Sequence, residues 1–198
     1  IAFIAHFVLK KNSPSLRFQA IPQTGDIEKL KKIIAFWQKQ LIDRKTVMIQ
    51  IVQAGQAGKT KYLLDMHRLR ARVFKERMGW DVNVDMQGLE VDDFDIPEAI
   101  YLLSCDDTNK VMACWRILPT SLPTMIETLW PEFLEDIDIK KSSKCWEMSR
   151  FAVDFGGLSA KEGLYHLNET TAKMFCALTE LCILCGIQEI YTLYDLRI

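Results

Sequence analysis

Between residues 70 and 95 the chain places Arg70, Phe74, Arg77 and Trp80 ahead of Glu90, Asp92, Asp93 and Asp95. A helix through this region puts Arg70 and Phe74 on one face, with Trp80 just past a stop at Gly79. If the acidic stretch folds back over that face, carboxylates, guanidiniums and aromatic rings surround one small volume. Such a volume suits a small zwitterion. Carboxylates meet an ammonium or sulfonium, arginines meet a carboxylate, and rings meet a cation or the face of a purine. The same residues also fit a solvated acidic loop beside a core Phe–Trp pair, and spacing alone does not separate the two readings.

Two apolar stretches downstream carry charge where a strand has little room for it. Arg116 is central in "MACWRILP", and Glu147 and Arg150 fall in "CWEMSRFAVD". Strand alternation puts Met112, Cys114 and Arg116 on one face and Ala113, Trp115 and Ile117 on the other. It likewise groups Glu147, Ser149 and Phe151, with Met148 and Arg150 opposite. A buried guanidinium without a carboxylate is very costly, so these groups either pair or reach solvent. Structural ion pairing is one account of them and a functional site is the other.

The elements that must position these residues follow from periodicity and punctuation. "MIQIVQAG", from Met48, is a short strand ended by glycine, and a long amphipathic helix follows through Tyr62, Leu63, Met66, Leu69, Val73 and Phe74 to Gly79. "GKT" at 58–60 is not a phosphate loop, because that pattern needs glycine at 53, where Gln53 stands. Residues 81–97 are acidic and irregular. "AIYLLSC" and "VMACWRIL" flank the turn formers "DDTNK" and read as a hairpin. A short helix broken at Pro131, the strand "CWEMSRFAVD", a long apolar helix with Asn168 or Thr170 as cap and Gly186 as stop, and the strand "QEIYTLYDLRI" complete the order. A hairpin combined with a later β–α–β step implies an α/β fold, a mixed central sheet with helices on both faces. Ahead of it, residues 1–47 read as an N-terminal extension. It comprises a loop and an amphipathic helix over 26–43, with apolar Ile27, Leu30, Ile33, Ile34, Trp37 and Leu41. Residues 48–198 form the main domain.

Composition limits the function. The chain has 198 residues, 49% of them hydrophobic, enough for one good core. A formal net charge of −1 argues against a nucleic-acid binder that works by phosphate neutralisation. No apolar run approaches the ~20 residues that span a bilayer, and "IAFIAHFVLKK" reverses the order of a signal peptide, so a cytoplasmic location and no membrane partner are expected. Six cysteines among apolar neighbours read as reduced core thiols, "CILC" at 182–185 included. His6, His67 and His166 have no ligand spacing, and no metal site is expected.

The ordered combination "RARVFKERMGW", "GLEVDDFD", "WRIL" and "WEMSRFAVD" resembles the acyl-homoserine-lactone synthases, the autoinducer synthases. Their pattern is Arg-x-x-x-Phe, Trp six residues later, Asp-x-x-Asp, a strand arginine, and Glu-x-x-Arg-Phe. Arg70, Phe74, Trp80, Asp92, Asp95, Arg116, Glu147, Arg150 and Phe151 supply it in order, over roughly Met48 to Ile198. The resemblance implies a fold similar to the N-acetyltransferases. It also implies acyl transfer from acyl carrier protein to the amino group of S-adenosyl-methionine, then lactone closure with release of methylthioadenosine, which yields a quorum-sensing signal. S-adenosyl-methionine is then a substrate, and no cofactor is implied. Arg70, Phe74, Trp80, Asp92 and Asp95 build that substrate's pocket, Arg116 and Arg150 pair with the acids, and Glu147 is the base. Thr192 matches a position facing the acyl chain, where threonine tends to accompany 3-oxo-acyl signals. An acidic carrier would want a basic patch, for which Lys140, Lys141 and Lys144, with Lys161, are candidates; a solvated turn explains them equally. The alternatives are another N-acyltransferase of this fold, though "FGGLSAKEG" after Asp154 lacks that class's pyrophosphate loop, or a non-catalytic binding fragment. In the family the chain starts near Met48 and continues past "IYTLYDLRI". A missing C-terminal part is therefore expected to leave the edge of the last strand open.

Overall fold

The computed structural model describes residues 2–8, 48–135, 137–154 and 169–195. Six strands form one mixed sheet: β1 (Ala2–Val8), β2 (Met48–Gln53), β3 (Ile100–Cys105), β4 (Val111–Pro119), β5 (Cys145–Val153) and β6 (Glu189–Asp195). Their spatial order is β1-β6-β5-β4-β3-β2. All neighbours are antiparallel except β5 and β6, which run parallel and are joined through α3 (Glu169–Cys185), as a parallel pair requires a crossover. The expected hairpin is present. Asp106 Oδ1 accepts from the N–H groups of Thr108 and Lys110, both at 2.9 Å, and Asn109 takes a left-handed φ of 63° to close the turn.

Helices cover both faces, as the pattern predicted. One face carries α1 (Thr60–Arg70) and its wider continuation over Ala71–Arg77, which pack Met66, Leu69, Val73 and Phe74 on Val52, Tyr101, Leu103 and Cys114. The short α2 (Met125–Leu129) lies on the same side, capped by Thr124, whose Oγ1 accepts from the Glu127 N–H. Pro131 ends it and opens a 3₁₀ turn over Pro131–Leu134. On the other face α3 seats Met174, Leu178, Leu181 and Cys182 on Leu102, Trp115, Ile117 and Met148. Gly186, at φ 65°, stops α3. The expected cap Asn168 and the helix over 26–43 lie outside the described residues.

Two features depart from the sequence reading. The loop-plus-helix account of residues 1–47 contained no strand, yet Ala2–Val8 pairs antiparallel with Glu189–Asp195 along its whole length. The edge of β6, expected to be open, is therefore covered. The second departure is in β5. Arg116 pairs with Ser149 and Cys114 with Ala152, so Arg150 and Phe151 together oppose Trp115, a β-bulge. Arg150 takes φ 57° there, rare for a residue with a Cβ. Alternation holds for β4 but shifts by one residue at the bulge. Arg150 thus joins Glu147 and Ser149 on the α1 face, and Phe151 turns to the α3 face against Trp115, at 4.4 Å between ring centroids, and Phe175.

Candidate active site

The site begins at the end of the first helix. Beyond Arg70 the helix widens, and the Met78 N–H reaches the Val73 carbonyl, five residues back, at 3.0 Å. Gly79, at φ 66°, reverses the chain, and the Trp80 N–H donates to the Phe74 carbonyl at 2.8 Å. This turn lays the Trp80 indole on the Phe74 ring, with centroids 5.2 Å apart and planes 5° from parallel. Phe74 is buried and Trp80 half-buried, so the indole is the accessible member of the stack.

Beside the stack, three arginines from three elements meet three carboxylates from the irregular stretch. Arg70 bonds Glu90 through Nε and Asp95 through Nη1 and Nη2, at 2.7 and 2.9 Å. Arg116 bonds Asp92, reaches Asp95 at 3.0 Å, and donates from Nε to Ser149 Oγ at 3.1 Å. Arg150 donates to Glu90 at 3.2 Å and forms an ion pair with Asp92 at 2.7 Å, with its guanidinium 5.6 Å from the Phe74 ring centroid. Tyr101 adds a hydroxyl donating to Asp95 at 2.8 Å. Side chains of Arg70, Arg116 and Glu90 are wholly buried, whereas Asp92 and Arg150 keep 16% and 10% exposure. The cluster therefore closes on itself and clamps the acidic loop to helix and sheet. Its accessible edge is Asp92, Arg150 and the aromatic stack.

Electrostatics follow from this packing. Burial alone would raise the Asp95 carboxyl, but Arg70 and Arg116 outweigh it and hold the group well below the usual carboxylate range. Burial likewise opposes the charge on Arg70, and Asp95 and Glu90 more than offset it. For Arg150 the burial effect wins, and its pKa falls below the ordinary arginine value despite Glu90 and Asp92. His67 points Nδ1 at the Glu90 carbonyl, 2.7 Å away, and burial followed by the Arg70 charge lowers its pKa. Nδ1 then carries the proton and donates, because a carbonyl only accepts.

Glu147 sits on the same face, buried, one strand from Arg116. Oε2 accepts from the Ile126 N–H at 2.8 Å at the start of α2, while Oε1, also buried, has no hydrogen-bond partner among the described residues. The preceding residue, Met125, directs Sδ at Arg116 and Arg150, 3.5 and 3.4 Å away, tying Glu147's support to the ion cluster. Burial raises the Glu147 pKa, partly countered by the amides of Ile126 and Met125. A carboxylate fixed at one oxygen and bare at the other is arranged as a proton acceptor.

The structure thus brings Arg70, Phe74, Trp80, Asp92, Asp95, Arg116, Glu147 and Arg150 together. Thr192 is elsewhere: it pairs with Met148, and alternation places it with the α3 face, while its neighbour Tyr191 pairs with Glu147. Two of the candidate docking lysines are already engaged, Lys140 with Glu189 and Lys141 with Glu127, and Lys144 is exposed. Lys161 lies outside the described residues. Glu90 was only one acid among four in the sequence, yet it bridges two arginines; Tyr101, Ser149 and Met125 carried no signal beyond their strand or helix pattern. Within "CILC", Cys182 is core and Cys185 is exposed. Among the described residues no His, Cys, Asp or Glu group is arranged to hold a metal, and no helix is long and apolar enough to cross a membrane.

Comparison with known proteins supplies the family. A family profile described as autoinducer synthase matches residues 40–198. The acyl-homoserine-lactone synthase of Pseudomonas aeruginosa is 38% identical over 146 residues, covering 72% of this chain and 70% of that protein. That of Aliivibrio fischeri is 38% identical over 124 residues, covering 63% of this chain and 62% of that protein. Among solved structures, the AHL synthase LasI superposes with a TM-score of 0.62 at 35% identity, over 75% of this chain and 72% of that one. A CoA-dependent acyl-homoserine lactone synthase, BjaI, solved with SAM and isopentyl-CoA, gives 0.58 at 26%, over 72% of this chain and 64% of that one. The cluster, the aromatic stack and the buried glutamate therefore belong to an acyltransferase fold, and this chain is a member of the autoinducer synthase family.

Proposed function

We propose that this chain makes an N-acyl-homoserine lactone from S-adenosyl-methionine and an acyl thioester on acyl carrier protein. The observation that carries the reading is the placement, on one sheet face, of a stacked aromatic wall beside a buried carboxylate with one bare oxygen. S-adenosyl-methionine presents a purine for the Trp80 face, a sulfonium for Asp92 and a carboxylate for Arg150, the accessible parts of the cluster. Arg70, Asp95 and Arg116 act from behind, holding Asp92 and Arg150 in place. Glu147 takes a proton from the substrate ammonium, directly or through a water, and the freed amine attacks the thioester carbonyl, expelling the thiol. The bulge at Arg150 and Phe151 releases backbone N–H from the β4–β5 ladder, so it is the natural donor to the developing oxyanion. Lactone closure then needs only the substrate's own carboxylate oxygen to displace methylthioadenosine from the γ-carbon. S-adenosyl-methionine is consumed as a substrate, and the scheme uses no cofactor.

An acyl chain running from the bulge towards Thr192 would pass between β5 and β6 beyond Met148 and Thr192, where their pairing ends, to the α3 face. A carrier protein would dock at Lys144 and at the flanks of Lys140 and Lys141. A CoA thioester is the second donor reading, favoured by the likeness to BjaI. Two measurements test the proposal. Trp80→Ala is expected to weaken S-adenosyl-methionine binding roughly tenfold, the scale of one aromatic contact, without unfolding the protein. Unchanged affinity would remove the stack from the site. Initial rates with acyl-carrier and acyl-CoA donors of one chain length are expected to favour the carrier, and a clear preference for CoA would replace it.

A further inference from the structure

His67 lies beside the ion cluster, and the scheme above does not use it. It stands half-buried on α1, one helical turn before Arg70, where the helix meets the acidic stretch. That stretch contains two turns that bond within themselves. In the first, Asp85 Oδ1 accepts from the N–H groups of Gln87 and Leu89 at 2.8 and 2.9 Å. In the second, the Phe94 N–H donates to Asp92 Oδ1 at 2.9 Å and the Asp92 N–H to Asp95 Oδ2 at 2.8 Å. Glu90 lies between them, and both of its backbone groups go to His67. Its N–H donates to the His67 carbonyl at 3.2 Å, and its carbonyl accepts from His67 Nδ1 at 2.7 Å. The His67 carbonyl also serves the Ala71 N–H, at the point where the helix begins to widen. Tyr101 meets the imidazole edge-on, with ring centroids 6.3 Å apart.

This contact reaches the candidate pocket in one step. The Glu90 carboxylate bridges Arg70 and Arg150, and Arg150 is the accessible arginine of the cluster. A Glu90 backbone pinned at two points fixes where that carboxylate stands, and with it the Arg150 guanidinium. We infer that His67 is a positioning residue for the S-adenosyl-methionine pocket, and that a proton on its imidazole weakens substrate binding. The inference rests on the pocket reading above. Charge balance carries its second half. Arg70, Arg116 and Arg150 face Glu90, Asp92 and Asp95, so a proton on His67 adds an unmatched cation. The charged groups acting on the ring are Arg70 on its own helix and Asp95 and Glu90 from the acidic stretch. Burial and Arg70 outweigh the two acids, so the fold favours the neutral ring. S-adenosyl-methionine brings an ammonium and a sulfonium against a single carboxylate. Proton and substrate therefore oppose one another, and by linkage affinity falls as pH drops into the imidazole range.

Binding tests it without turnover. S-adenosyl-methionine is titrated calorimetrically into the full chain with His67 intact, with His67→Asn and with His67→Phe, between about pH 7.5 and about pH 5. All three carry Glu147→Gln, so that carboxyl does not add its own titration. Asparagine places an N–H where Nδ1 stands and takes no proton; phenylalanine keeps the ring and loses the donor. At the upper pH, His67→Asn is expected to bind within about twofold of the chain with His67, and His67→Phe about tenfold more weakly. On acidification the chain with His67 should lose about five- to tenfold in affinity, and His67→Asn at most about twofold. Undiminished affinity in His67→Phe, or an acid loss in His67→Asn as large as with His67, overturns the inference. Where His67→Phe does not fold, the pH comparison with His67→Asn decides alone. A folded chain that binds no S-adenosyl-methionine fails the pocket reading, and urea unfolding then judges the clamp. Because the His67 pKa is lowered in the fold, stability is expected to drain away as pH falls below the ordinary imidazole value of 6.5, and less so in His67→Asn. Parallel stability curves would overturn the clamp as well.

Discussion

Arg70 and Arg116 are wholly buried, and each touches at least two carboxylates, so the cost of disturbing them lies in the charge left behind. Asp95→Asn is expected to cost about 3–5 kcal/mol of unfolding free energy in urea, the range for breaking a buried ion pair by removing one partner. A loss under about 1 kcal/mol would show that the cluster is not a structural clamp. The pH dependence has a definite sign. Because the Asp95 carboxyl is held below its ordinary value in the fold, its contribution is complete above the unfolded value near 4 and drains away as pH falls below it. Asp95→Asn should therefore flatten the acid limb of stability. Glu147 behaves oppositely, since burial raises its pKa and ionising it works against the fold. Glu147→Gln is expected to keep or increase the melting temperature at neutral pH. It should slow acyl transfer by about 10²–10⁴ and erase the rise in rate with pH expected of wild type as Glu147 ionises. A variant with a wild-type rate and profile would make Glu147 structural. At this scale the sequence was legible where chemistry demands a partner: an arginine inside an apolar strand needs a carboxylate, and the acidic loop supplied three. Glu90 was named with the other three acids but not singled out, because nothing in its spacing distinguishes the acid that bridges two arginines from its neighbour Asp93, which is exposed.

The elements obey periodicity except where one residue changes the local backbone. The helix from Thr60, the β3–β4 hairpin, α2 with its break at Pro131, α3 and β6 stand where apolar pattern and turn formers placed them. The wide turns over Ala71–Arg77 and the bulge at Arg150 do not follow from pattern. Each inserts a residue into a ladder, and each does so where a functional side chain must be re-aimed, Trp80 in one case and Arg150 in the other. Strict alternation sends Arg150 to the wrong face for this reason. β1 was missed on different grounds: a seven-residue apolar run has no strand signal of its own until its partner, β6, is known, and that partner lies at the far end of the chain. Its role is testable through the backbone. Ala5→Pro sets a residue with no N–H and a fixed φ in the ladder opposite Thr192, and the expected loss is about 1–2 kcal/mol, seen as a melting temperature lower by roughly 2–8 °C. An unchanged melting temperature would detach residues 2–8 from the folded unit.

Across the whole molecule, one sheet separates two kinds of interior. The α1 face holds ions, aromatic stack and Glu147, and the α3 face is apolar around Trp115, Met148 and Met174. The parallel β5–β6 pair between them is where a polar substrate on one side and an acyl chain on the other would meet. Fold class and family were legible because the motif residues stand in order over most of the chain; the nature of the acyl donor was not, because carrier protein and CoA share the arm that reaches the strand. Product chemistry decides whether this chain couples an acyl group to S-adenosyl-methionine and closes the lactone. Mass spectrometry of products from the purified chain, S-adenosyl-methionine and a panel of acyl-carrier and acyl-CoA donors tests it directly. The expected result is an N-acyl-homoserine lactone formed in equal amount with methylthioadenosine, and neither formed in Glu147→Gln over the same interval. S-adenosyl-methionine recovered intact with every donor, by a chain that is folded and binds it, would rule out the synthase reaction and leave a binding module in its place.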